Sequence, residues 1–486
     1  MSLIKVEGLT FSYPSSFDNI FENVSFQIDT DWKLGFVGRN GKGKTTFLEL
    51  LQGKHPFSGK IYSSVGFDYF PYRVTDAGAA TIDAVREVCQ NAEQWEILRE
   101  LSLIGVEEEA LWRPFGTLSE GERTKALLAA MFLNEGRFLL IDEPTNHLDA
   151  EARHTVAEYL GNKKGFILVS HDRRFLDGCV DHILALNRAS IEVRRGNFSS
   201  WLEEFETRQA SEEARDEQLH REISRLKQSS RRTSDWSDRV EKSKQGGGDR
   251  GYIGHKSAKM MKRSKSIEAR QKKAIEEKSS LLKNAESVET LKMFPVEYHS
   301  ETLAVFSDVS ISYGSKTVCG PLTFDVKRGE RIALSGKNGS GKSSVLKLAA
   351  GKNIEYNGKL AVGSGVVVSV VPQDTSGLMG GLKEYAREND VDESLFKTIL
   401  RKLGFERVQF EKDMGDYSEG QKKKVYIARS LCESAHIYIW DEPLNYIDIY
   451  SRMQIERLIK EFSPTMLFVE HDAAFRESIA TKIIDI

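Results

Sequence analysis

The chain has 486 residues, of which 40% are hydrophobic and 29% charged, and its formal net charge is −3. At about 100–200 residues per domain, this length allows two or three domains. No stretch approaches the ~18 apolar residues of a membrane helix, and the first residues lack the pattern of a signal peptide, so we expect neither a membrane span nor export. The four cysteines stand far apart, which excludes a disulfide scaffold or a zinc cluster and is typical of a cytoplasmic protein.

The first element with recognisable chemistry is a glycine-rich loop that follows an apolar strand at Leu34–Val37. Its pattern, GxxxxGK[ST], is typical of phosphate-binding loops, because glycines let backbone N–H groups approach phosphate oxygens and the next helix directs its positive end at the anion. Lys44 is predicted to hold the β- and γ-phosphates, and Thr45 to ligate Mg²⁺. The nucleotide-binding loop comprises Gly38, Arg39, Asn40, Gly41, Lys42, Gly43, Lys44, Thr45 and Thr46.

Two other features flank this loop in the first half of the chain. Tyr13 lies 25 residues before the loop and is a candidate to stack on adenine, the alternative being a core tyrosine. Ser119, with Gly121 two residues later, stands before a helical segment. The serine is predicted to cap this helix and to bind an anion there, although a simple capped helix gives the same pattern.

An acidic pair follows at the end of another apolar run. Asp142 ends this run, as expected of a buried parallel strand that places an acid at its carboxyl end, and we predict that it binds Mg²⁺ through water. Glu143 comes next and is predicted to polarise the attacking water. His171 follows the apolar segment Phe166–Val169 and is predicted to sense the γ-phosphate, although such a histidine is often only structural.

The middle of the chain is strongly basic. From Arg225 to Lys273 there are 16 Lys/Arg and 5 Asp/Glu, a net charge of +11. The segments on either side of Gly246–Gly248 are proline-free and favour helix, so we predict an antiparallel two-helix hairpin with a basic tip. Its basic and aromatic side chains are predicted to bind phosphates and to stack on unpaired RNA bases, the alternative being a solvated helical face. The candidates are Arg231, Arg232, Trp236, Arg239, Lys242, Lys244, Arg250, Tyr252, His255, Lys256, Lys259, Lys262, Arg263 and Lys265.

The motifs of the first half return in the second half in the same order. Lys342 and Ser343 take the places of the loop lysine and the Mg²⁺-ligating hydroxyl, after an apolar strand at Ile332–Ser335. The second nucleotide-binding loop comprises Gly336, Lys337, Asn338, Gly339, Ser340, Gly341, Lys342, Ser343 and Ser344. The remaining counterparts, with the same predicted roles, are Tyr313, Ser418, Gly420, Asp441, Glu442 and His471.

The spacing of the motifs is repeated as well. The loop lysine precedes the strand-end aspartate by 98 residues in the first half and by 99 in the second, and the helix-capping serine precedes the glutamate by 24 in both. Four motifs at matching spacing indicate a duplicated domain. We therefore predict an α/β protein with two tandem P-loop nucleotide-binding domains, 1–205 and 299–486, joined by the hairpin 206–298 with its tip near 240–258, and with a short arm within about 75–117.

Together these motifs resemble the ATP-binding-cassette (ABC) superfamily, and the run from Asp142 to Asp149, DEPTNHLD, matches its pattern closely. Two cassettes joined by a basic helical linker, without a membrane segment, are similar to the ABC-F family of ribosome-associated ATPases. The resemblance implies that the chain binds ATP and Mg²⁺ and hydrolyses ATP to ADP and phosphate. It also implies that the cassettes pair head to tail within a monomer, so that Lys44 shares one ATP with Ser418, and Lys342 shares another with Ser119.

The sequence departs from the family pattern at three positions. Gln373 matches the glutamine that ligates the metal in the family, whereas Tyr72 stands at the matching first-half position, which puts Mg²⁺ coordination at the first site in doubt. In the second half, Leu444 and Tyr446 replace the usual Thr and His, so we expect the two sites to differ in turnover. This variant resembles the Lsa/Vga-type antibiotic-resistance subgroup.

The resemblance also implies partners. These are the bacterial 70S ribosome, with large-subunit rRNA at the E site, and the P-site tRNA, with the linker directed toward the peptidyl-transferase centre. The function that follows is ATP-dependent displacement of lincosamides, pleuromutilins and streptogramin A compounds. Alternatives are a housekeeping translation factor of the same family, the ATPase subunit of a transporter and a DNA-processing ATPase.

Overall fold

The computed structural model describes residues 2–13, 19–145, 148–186, 191–211, 291–314, 316–337 and 339–486, together with a few isolated positions between 214 and 225. The chain divides into two compact units, one formed by Met1–Trp201 with Thr290–Ile486 and the other by Leu202–Glu289. In the second unit, residues 202–211 are helical. The predicted hairpin tip and every candidate RNA-binding residue from Arg231 to Lys265 lie outside the described residues, as does Asn338.

The first unit contains two cassettes, which we call the first cassette (residues 2–201) and the second cassette (residues 291–486). The strands of the first cassette are β1 Leu3–Phe11, β2 Phe21–Asp29, β3 Lys33–Gly38, β4 Ser58–Tyr62, β5 Gly66–Phe70, β6 Arg137–Asp142, β7 Phe166–Val169, β8 His182–Leu186 and β9 Ile191–Arg195. Its α-helices span Lys44–Leu51, Thr81–Val88, Gln94–Leu103, Glu120–Met131, Ala150–Gly161 and Arg173–Cys179, with 3₁₀ turns at Glu108–Trp112 and Phe115–Thr117.

The second cassette repeats this succession of elements. Its strands are β10 Phe294–Pro295, β11 Thr302–Tyr313, β12 Lys316–Lys327, β13 Arg331–Ser335, β14 Tyr356–Val362, β15 Val368–Val371, β16 Ser434–Ala435, β17 Ile437–Asp441, β18 Met466–Val469 and β19 Lys482–Asp485. Its α-helices span Lys342–Ala349, Leu382–Glu388, Glu393–Lys402, Glu419–Cys432, Ile449–Phe462 and Ala473–Ile479, with 3₁₀ turns at Arg407–Glu411 and Met414–Asp416.

Each cassette has a central sheet whose strands are mainly parallel. The strand order is β5-β6-β7-β3-β8-β9 in the first cassette, where β8 and β9 are antiparallel, and β15-β17-β18-β13-β19 in the second. The inner strands β7 and β18 are buried along their whole length, which is why they read as unbroken apolar runs rather than as alternating ones. In each cassette the phosphate loop, the acidic pair and the histidine follow the carboxyl ends of neighbouring strands of the central sheet. All three therefore lie at the same edge of that sheet.

A smaller antiparallel sheet packs beside each central sheet, in the order β2-β1-β4 and β12-β11-β14. In the first cassette the two sheets enclose the helix Lys44–Leu51, and Phe47 on this helix packs edge-on against Phe21 and Phe36. The helix that follows the phosphate loop is therefore fixed from both sides by apolar side chains, and its N-terminus is held at the sheet edge.

The stretch predicted to form a short arm folds in the first cassette as two α-helices and two 3₁₀ turns, and the matching stretch of the second cassette has the same succession. Leu101 and Leu111 in the first, and Phe396 and Leu400 in the second, are buried beneath these helices. In both cassettes the stretch leads directly into the helix whose N-cap is the predicted serine, Ser119 in the first cassette and Ser418 in the second.

Candidate ATP-binding sites

The first phosphate loop lies between β3 and the helix Lys44–Leu51. Gly43 adopts φ 103°, in the left-handed region that favours glycine, so the chain can turn sharply into the helix. The ammonium of Lys44 is buried and donates to the carbonyl of Gly38 at 2.8 Å and to Asn40 Oδ1 at 3.1 Å. Burial lowers the pKa of Lys44 from its ordinary value.

The second phosphate loop repeats this arrangement between β13 and the helix Lys342–Ala349. Gly341 has φ 95°, and Lys342 Nζ donates to the carbonyls of Gly336 at 2.9 Å and Lys337 at 2.8 Å. Burial also lowers the pKa of Lys342. In both loops a buried amine therefore lies at a helix N-terminus, where an anion is favoured.

A hydroxyl and a carboxylate meet at the edge of each phosphate loop. Thr45 Oγ1 donates to Asp142 Oδ2 at 3.0 Å, and Ser343 Oγ donates to Asp441 Oδ1 at 3.1 Å. Hard oxygen donors of this kind suit Mg²⁺, and the pair leaves the remaining positions of an octahedral ion to water and phosphate. Within the described ranges no group of three or more His, Cys, Asp or Glu side chains could hold a metal. A hydroxyl with a single carboxylate suits an ion that is bound together with a nucleotide.

The two glutamates have the same strained backbone. Glu143 adopts φ 50° and Glu442 φ 45°, in the left-handed region that non-glycine residues rarely occupy. Each faces the histidine of its own cassette: Glu143 Oε1 lies 3.2 Å from His171 Nε2, and Glu442 Oε1 lies 3.3 Å from His471 Nε2. The structure thus places each predicted catalytic glutamate beside the predicted histidine of its own cassette. His471 Nε2 is hydrogen-bonded to Glu442, whereas His171 Nε2 is hydrogen-bonded to Asn40 Oδ1 at 3.0 Å.

The electrostatics of these pairs differ. Burial raises the pKa of Glu143 to about 8 and lowers that of His171 well below its ordinary value. Burial opposes ionisation of Glu442 too, but hydrogen bonds from His471 and Gln373 lower its pKa below the ordinary value. Asn445 Nδ2 also donates to Glu442 Oε2 at 2.6 Å. The second glutamate is therefore the better prepared to act as a base at neutral pH.

Both candidate serines begin helices as predicted. Ser119 and Ser418 are N-caps whose hydroxyls accept from the backbone N–H groups of Glu122 and Gln421, and the side chains of these two residues close the capping box. The helices Glu120–Met131 and Glu419–Cys432 therefore begin at these two serines, each with its N-terminus at the serine.

The second phosphate loop and the first serine share one cavity of about 950 Å³. Lys342 and Glu442 line it from the second cassette, and Ser119, Gly121 and Asp149 line it from the first. Asp149 also acts electrostatically on the pKa of Lys342, in the direction that favours the charged amine. This is the head-to-tail arrangement expected of the second site.

The first phosphate loop contacts the second cassette through one backbone carbonyl. Asn40 Nδ2 donates to the carbonyl of Tyr446 at 2.7 Å, and Tyr446 is held at φ 62°, again in the left-handed region. The same carbonyl lies against Gly420, where an added Cβ would be 2.5 Å from the oxygen. Lys42 adds an ion pair with Glu406 across the interface at 2.6 Å. The first loop and the second serine helix are therefore neighbours.

Replacement of Gly420 by alanine tests this contact. We expect Gly420→Ala to push the Tyr446 carbonyl away and to weaken ATP binding at the first site by about tenfold, since overpacking costs roughly 1–3 kcal/mol. The measurement is the ATP affinity of a chain whose second loop carries Lys342→Ala. Gly320→Ala is the control, because an added Cβ there meets nothing within 4 Å. Equal affinities in the two variants would contradict the contact.

The tyrosines and the glutamine predicted to bind ligands have different surroundings. The hydroxyls of Tyr13 and Tyr313 lie 3.0 and 3.1 Å from Thr46 Oγ1 and Ser344 Oγ, so both rings stand next to their loops. Gln373 lines the cavity beside Glu442. Tyr72, at the matching position of the first cassette, instead donates to Glu87 at 3.1 Å. The roles of the two rings in adenine stacking stay predictions.

Sequence reasoning missed several largely buried charged groups that support the sites. Arg153 donates to the carbonyls of Leu148 and Thr145 at 3.0 and 3.1 Å and forms an ion pair with Asp172 at 3.0 Å. In the second cassette, Arg452 makes the same three contacts with Ile447, Leu444 and Asp472 at 2.9, 2.8 and 3.0 Å. Each arginine ties the loop after the glutamate to the residue after the histidine. The signal was present, since each arginine follows the loop aspartate, Asp149 or Asp448, by four residues.

The comparisons with known proteins agree with this geometry. The family described as ABC transporter matches residues 21–146 and 319–445. The chain is 26% identical to the ribosome protection protein VmlR of Bacillus subtilis, over 96% of this chain and 84% of that one, and 24% identical to the energy-dependent translational throttle protein EttA of Haemophilus influenzae, over 96% and 89%.

Among solved structures, the complex of archaeal ribosome recycling factor aABCE1 with the ribosomal stalk protein aP1 aligns with a TM-score of 0.63 at 21% identity, covering 98% of this chain and 87% of that one. This similarity supports the fold of the two cassettes. In the part of the chain that the structure describes, none of the helices is long and apolar enough to cross a membrane. Since the matched residues cover more than half of the sequence, the chain belongs to the ABC transporter family and is an ATPase with two cassettes.

Proposed function

We propose that the chain is an ABC-F ATPase that binds the bacterial 70S ribosome and protects it from antibiotics that bind the large subunit. The observation that supports an ATP-driven closure is the shared cavity, which places Lys342 of one cassette opposite Ser119 of the other. The similarity to a protein named as a ribosome protection protein, over 96% of this chain, supports the choice of the ribosome as the partner.

In this proposal both sites bind ATP between the cassettes. Lys44 and Lys342 hold the β- and γ-phosphates, and the N-terminal N–H groups beside Ser119 and Ser418 bind the γ-phosphate from the opposite side. Thr45 with Asp142, and Ser343 with Asp441 and Gln373, would hold Mg²⁺. When bound, the ion would offset the charge that develops on the phosphates.

Hydrolysis is assigned to the glutamate and histidine pairs. Glu143 and Glu442 orient a water for attack and accept its proton. His471 is hydrogen-bonded to Glu442 and holds its carboxylate toward the site. His171 lies beside Glu143 and is hydrogen-bonded to Asn40 of the phosphate loop. Because Glu442 is ionised more readily than Glu143, the second site is the faster one near neutral pH. ATP stabilises the closed pair of cassettes, and its hydrolysis lets them separate.

The linker supplies the contact with RNA. Its net charge of +11 between Arg225 and Lys273 would neutralise phosphates of the large-subunit rRNA at the E site and of the P-site tRNA, and ribosome binding should therefore weaken steeply with salt. The tip, near 240–258, would reach toward the peptidyl-transferase centre. The drug classes displaced in this proposal are lincosamides, pleuromutilins and streptogramin A compounds. The chain would act in the cytoplasm as a ribosome-associated monomer.

A housekeeping translation factor of the same family is the second candidate. The similarity to a protein named as a translational throttle, over 96% of this chain and 89% of that one, favours it. Both candidates need the same ATP sites and the same partner. They differ in whether the chain changes drug susceptibility.

The test is drug susceptibility of a sensitive Gram-positive host with and without expression of the chain. We expect higher inhibitory concentrations for a lincosamide, a pleuromutilin and a streptogramin A compound, and no change for an aminoglycoside that acts on the small subunit. A variant with Gly246–Gly254 removed should keep its ATPase rate and lose protection, because only the linker tip is shortened. Ribosome binding without any change in susceptibility would favour the housekeeping factor.

A further inference from the structure

Each ATP site contains a hydroxyl and a carboxylate that are proposed to bind the metal, but the side chains that support this pair differ between the two cassettes. In both cassettes a hydroxyl at the start of the loop helix donates to a strand-end aspartate at 3.0 or 3.1 Å. The side chains that hydrogen-bond to these aspartates from elsewhere in the cassette are not the same. One is a tyrosine of the first cassette, and the other is a lysine of the second.

Tyr69 fixes the aspartate of the first site. Its hydroxyl donates to Asp142 Oδ2 at 3.0 Å, the same oxygen that accepts the hydroxyl of Thr45. Tyr69 lies on β5, which pairs directly with β6, so both backbones are held in the sheet. The orientation of Asp142 is thus fixed by two hydroxyl groups that donate to its Oδ2.

In the second cassette, the described strand β15 places a valine where the first cassette has this tyrosine. Tyr69 is paired with Leu140, two residues before Asp142. Val370 is paired in the same way with Ile439, two residues before Asp441. Val370 therefore occupies the position of Tyr69, and its side chain cannot donate a hydrogen bond.

Lys423 replaces the tyrosine as the supporting group of the second site. The residue is 2% exposed, and its ammonium donates to the main-chain carbonyls of Pro372, Gln373 and Asp441 at 2.7, 3.2 and 3.1 Å. These three acceptors match the three N–H donors of an ammonium. The lysine thus ties both proposed metal-ligating residues, Gln373 and Asp441, to the helix Glu419–Cys432.

The first cassette cannot form this second arrangement. Lys423 follows Ser418 by five residues, and the residue that follows Ser119 by five is Thr124. Both residues lie at the same turn of matching helices, which the two capping serines begin. A threonine hydroxyl lies on the β-carbon and lacks the four-carbon reach of a lysine. Each cassette therefore contains one of the two supporting groups and lacks the other.

We propose that Tyr69 and Lys423 are positioning residues that set the Mg²⁺ requirement of the first and the second ATP site separately. The inference rests on the proposed metal-ligating roles of Asp142, Asp441 and Gln373. Neither residue touches the nucleotide in this proposal. Tyr69 acts through the carboxylate of Asp142, and Lys423 acts through the main chain of Gln373 and Asp441. Loss of such a supporting contact typically weakens metal binding by 10–100-fold.

The experiment measures ATP binding at one site at a time over a range of Mg²⁺ concentrations. The first site is isolated in a chain with Lys342→Ala and Glu143→Gln, and the second in a chain with Lys44→Ala and Glu442→Gln, so that ATP binds without being hydrolysed. Equilibrium binding of labelled ATP gives the half-saturating Mg²⁺ concentration. Binding in EDTA gives the metal-free affinity of the same site.

We expect each substitution to change the Mg²⁺ dependence of one site only, and the two substitutions to act on different sites. Tyr69→Phe should raise the half-saturating Mg²⁺ concentration of the first site by about tenfold and leave the second unchanged, whereas Lys423→Met should do the reverse. The metal-free affinities should not change. If Lys423→Met fails to fold, Lys423→Gln replaces it in the experiment, because glutamine keeps an N–H donor in the buried position. Lys423→Gln should give a smaller increase in the half-saturating Mg²⁺ concentration of the second site.

A merely structural role would give a different pattern. If either substitution shifts both sites equally, or lowers thermal stability without moving the Mg²⁺ dependence, the assignment of that residue is wrong. Asp142→Asn and Asp441→Asn test the proposed function itself. If they leave the Mg²⁺ dependence unchanged, the metal-ligating roles fail; if they shift it and the supporting variants do not, only the present inference fails.

Discussion

A chain with both Glu143→Gln and Glu442→Gln should lose ATP turnover by about 10²–10⁴-fold and still bind ATP. Glutamine keeps the size of each side chain but cannot accept the proton of the attacking water. The contacts of Lys44 and Lys342 with their own loops do not involve the glutamates, so the phosphate sites stay intact. The cassettes should then remain closed on ATP, and the complex with ribosomes should persist.

The measurements are steady-state phosphate release and the half-life of the ribosome complex after dilution. Glu22→Gln with Glu461→Gln is a matched control, because both glutamates are exposed and one lies in each cassette. If the double catalytic variant leaves ribosomes as fast as the unmodified chain, closure is not driven by ATP. The single variants separate the sites, and Glu442→Gln should cause the larger loss, because its pKa is lowered whereas that of Glu143 is raised to about 8.

Removal of the Arg452 guanidinium should have the largest effect on stability. Arg452→Met leaves Asp472 as a buried carboxylate without its ion-pair partner, and two backbone carbonyls lose their donor. Breaking a buried pair from one side costs about 3–5 kcal/mol. We expect the free energy of unfolding of the second cassette to fall by that amount in urea titrations followed by circular dichroism.

The first cassette provides the comparison. Arg153 makes the same contacts, but its side chain is 14% exposed and that of Asp172 is 9%, against 9% and 1% for the second pair. Arg153→Met should therefore cost less. Neutralising the partner as well, with Arg452→Met and Asp472→Asn, should recover part of the loss. A loss below about 1 kcal/mol for Arg452→Met would indicate that the buried pair contributes no more than an exposed one.

Much of the fold follows from local patterns in the sequence. The apolar strands before each loop, the aspartates at the ends of β6 and β17, the histidines after β7 and β18 and the two capping serines all lie where the patterns predict, because each depends on neighbours within a few residues. The family resemblance, rather than a local pattern, implies which loop faces which serine, and the shared cavity of Lys342 and Ser119 agrees with it.

The supporting groups could not be predicted in the same way. Tyr69 and Asp142 are 73 positions apart, and Lys423 reaches carbonyls about 50 positions earlier in the chain. A lysine in a helix of mixed polarity reads as a surface residue, and only the packing of that helix against β15 and β17 makes it a buried donor. Such contacts depend on the tertiary fold, and a backbone carbonyl leaves no trace in the side-chain pattern.

The carbonyl of Tyr446 has a consequence for how this region can vary. Asn40 and Gly420 both meet the main chain of this residue, and Leu444 likewise uses its N–H, toward Glu470 at 3.1 Å, and its carbonyl, toward Arg452. The departures from the family pattern at 444 and 446 therefore leave these contacts untouched. A substitution at 446 keeps these main-chain contacts if the new residue tolerates φ 62°. Asparagine and glycine adopt this left-handed backbone readily, whereas valine, isoleucine and threonine adopt it only at a cost in energy.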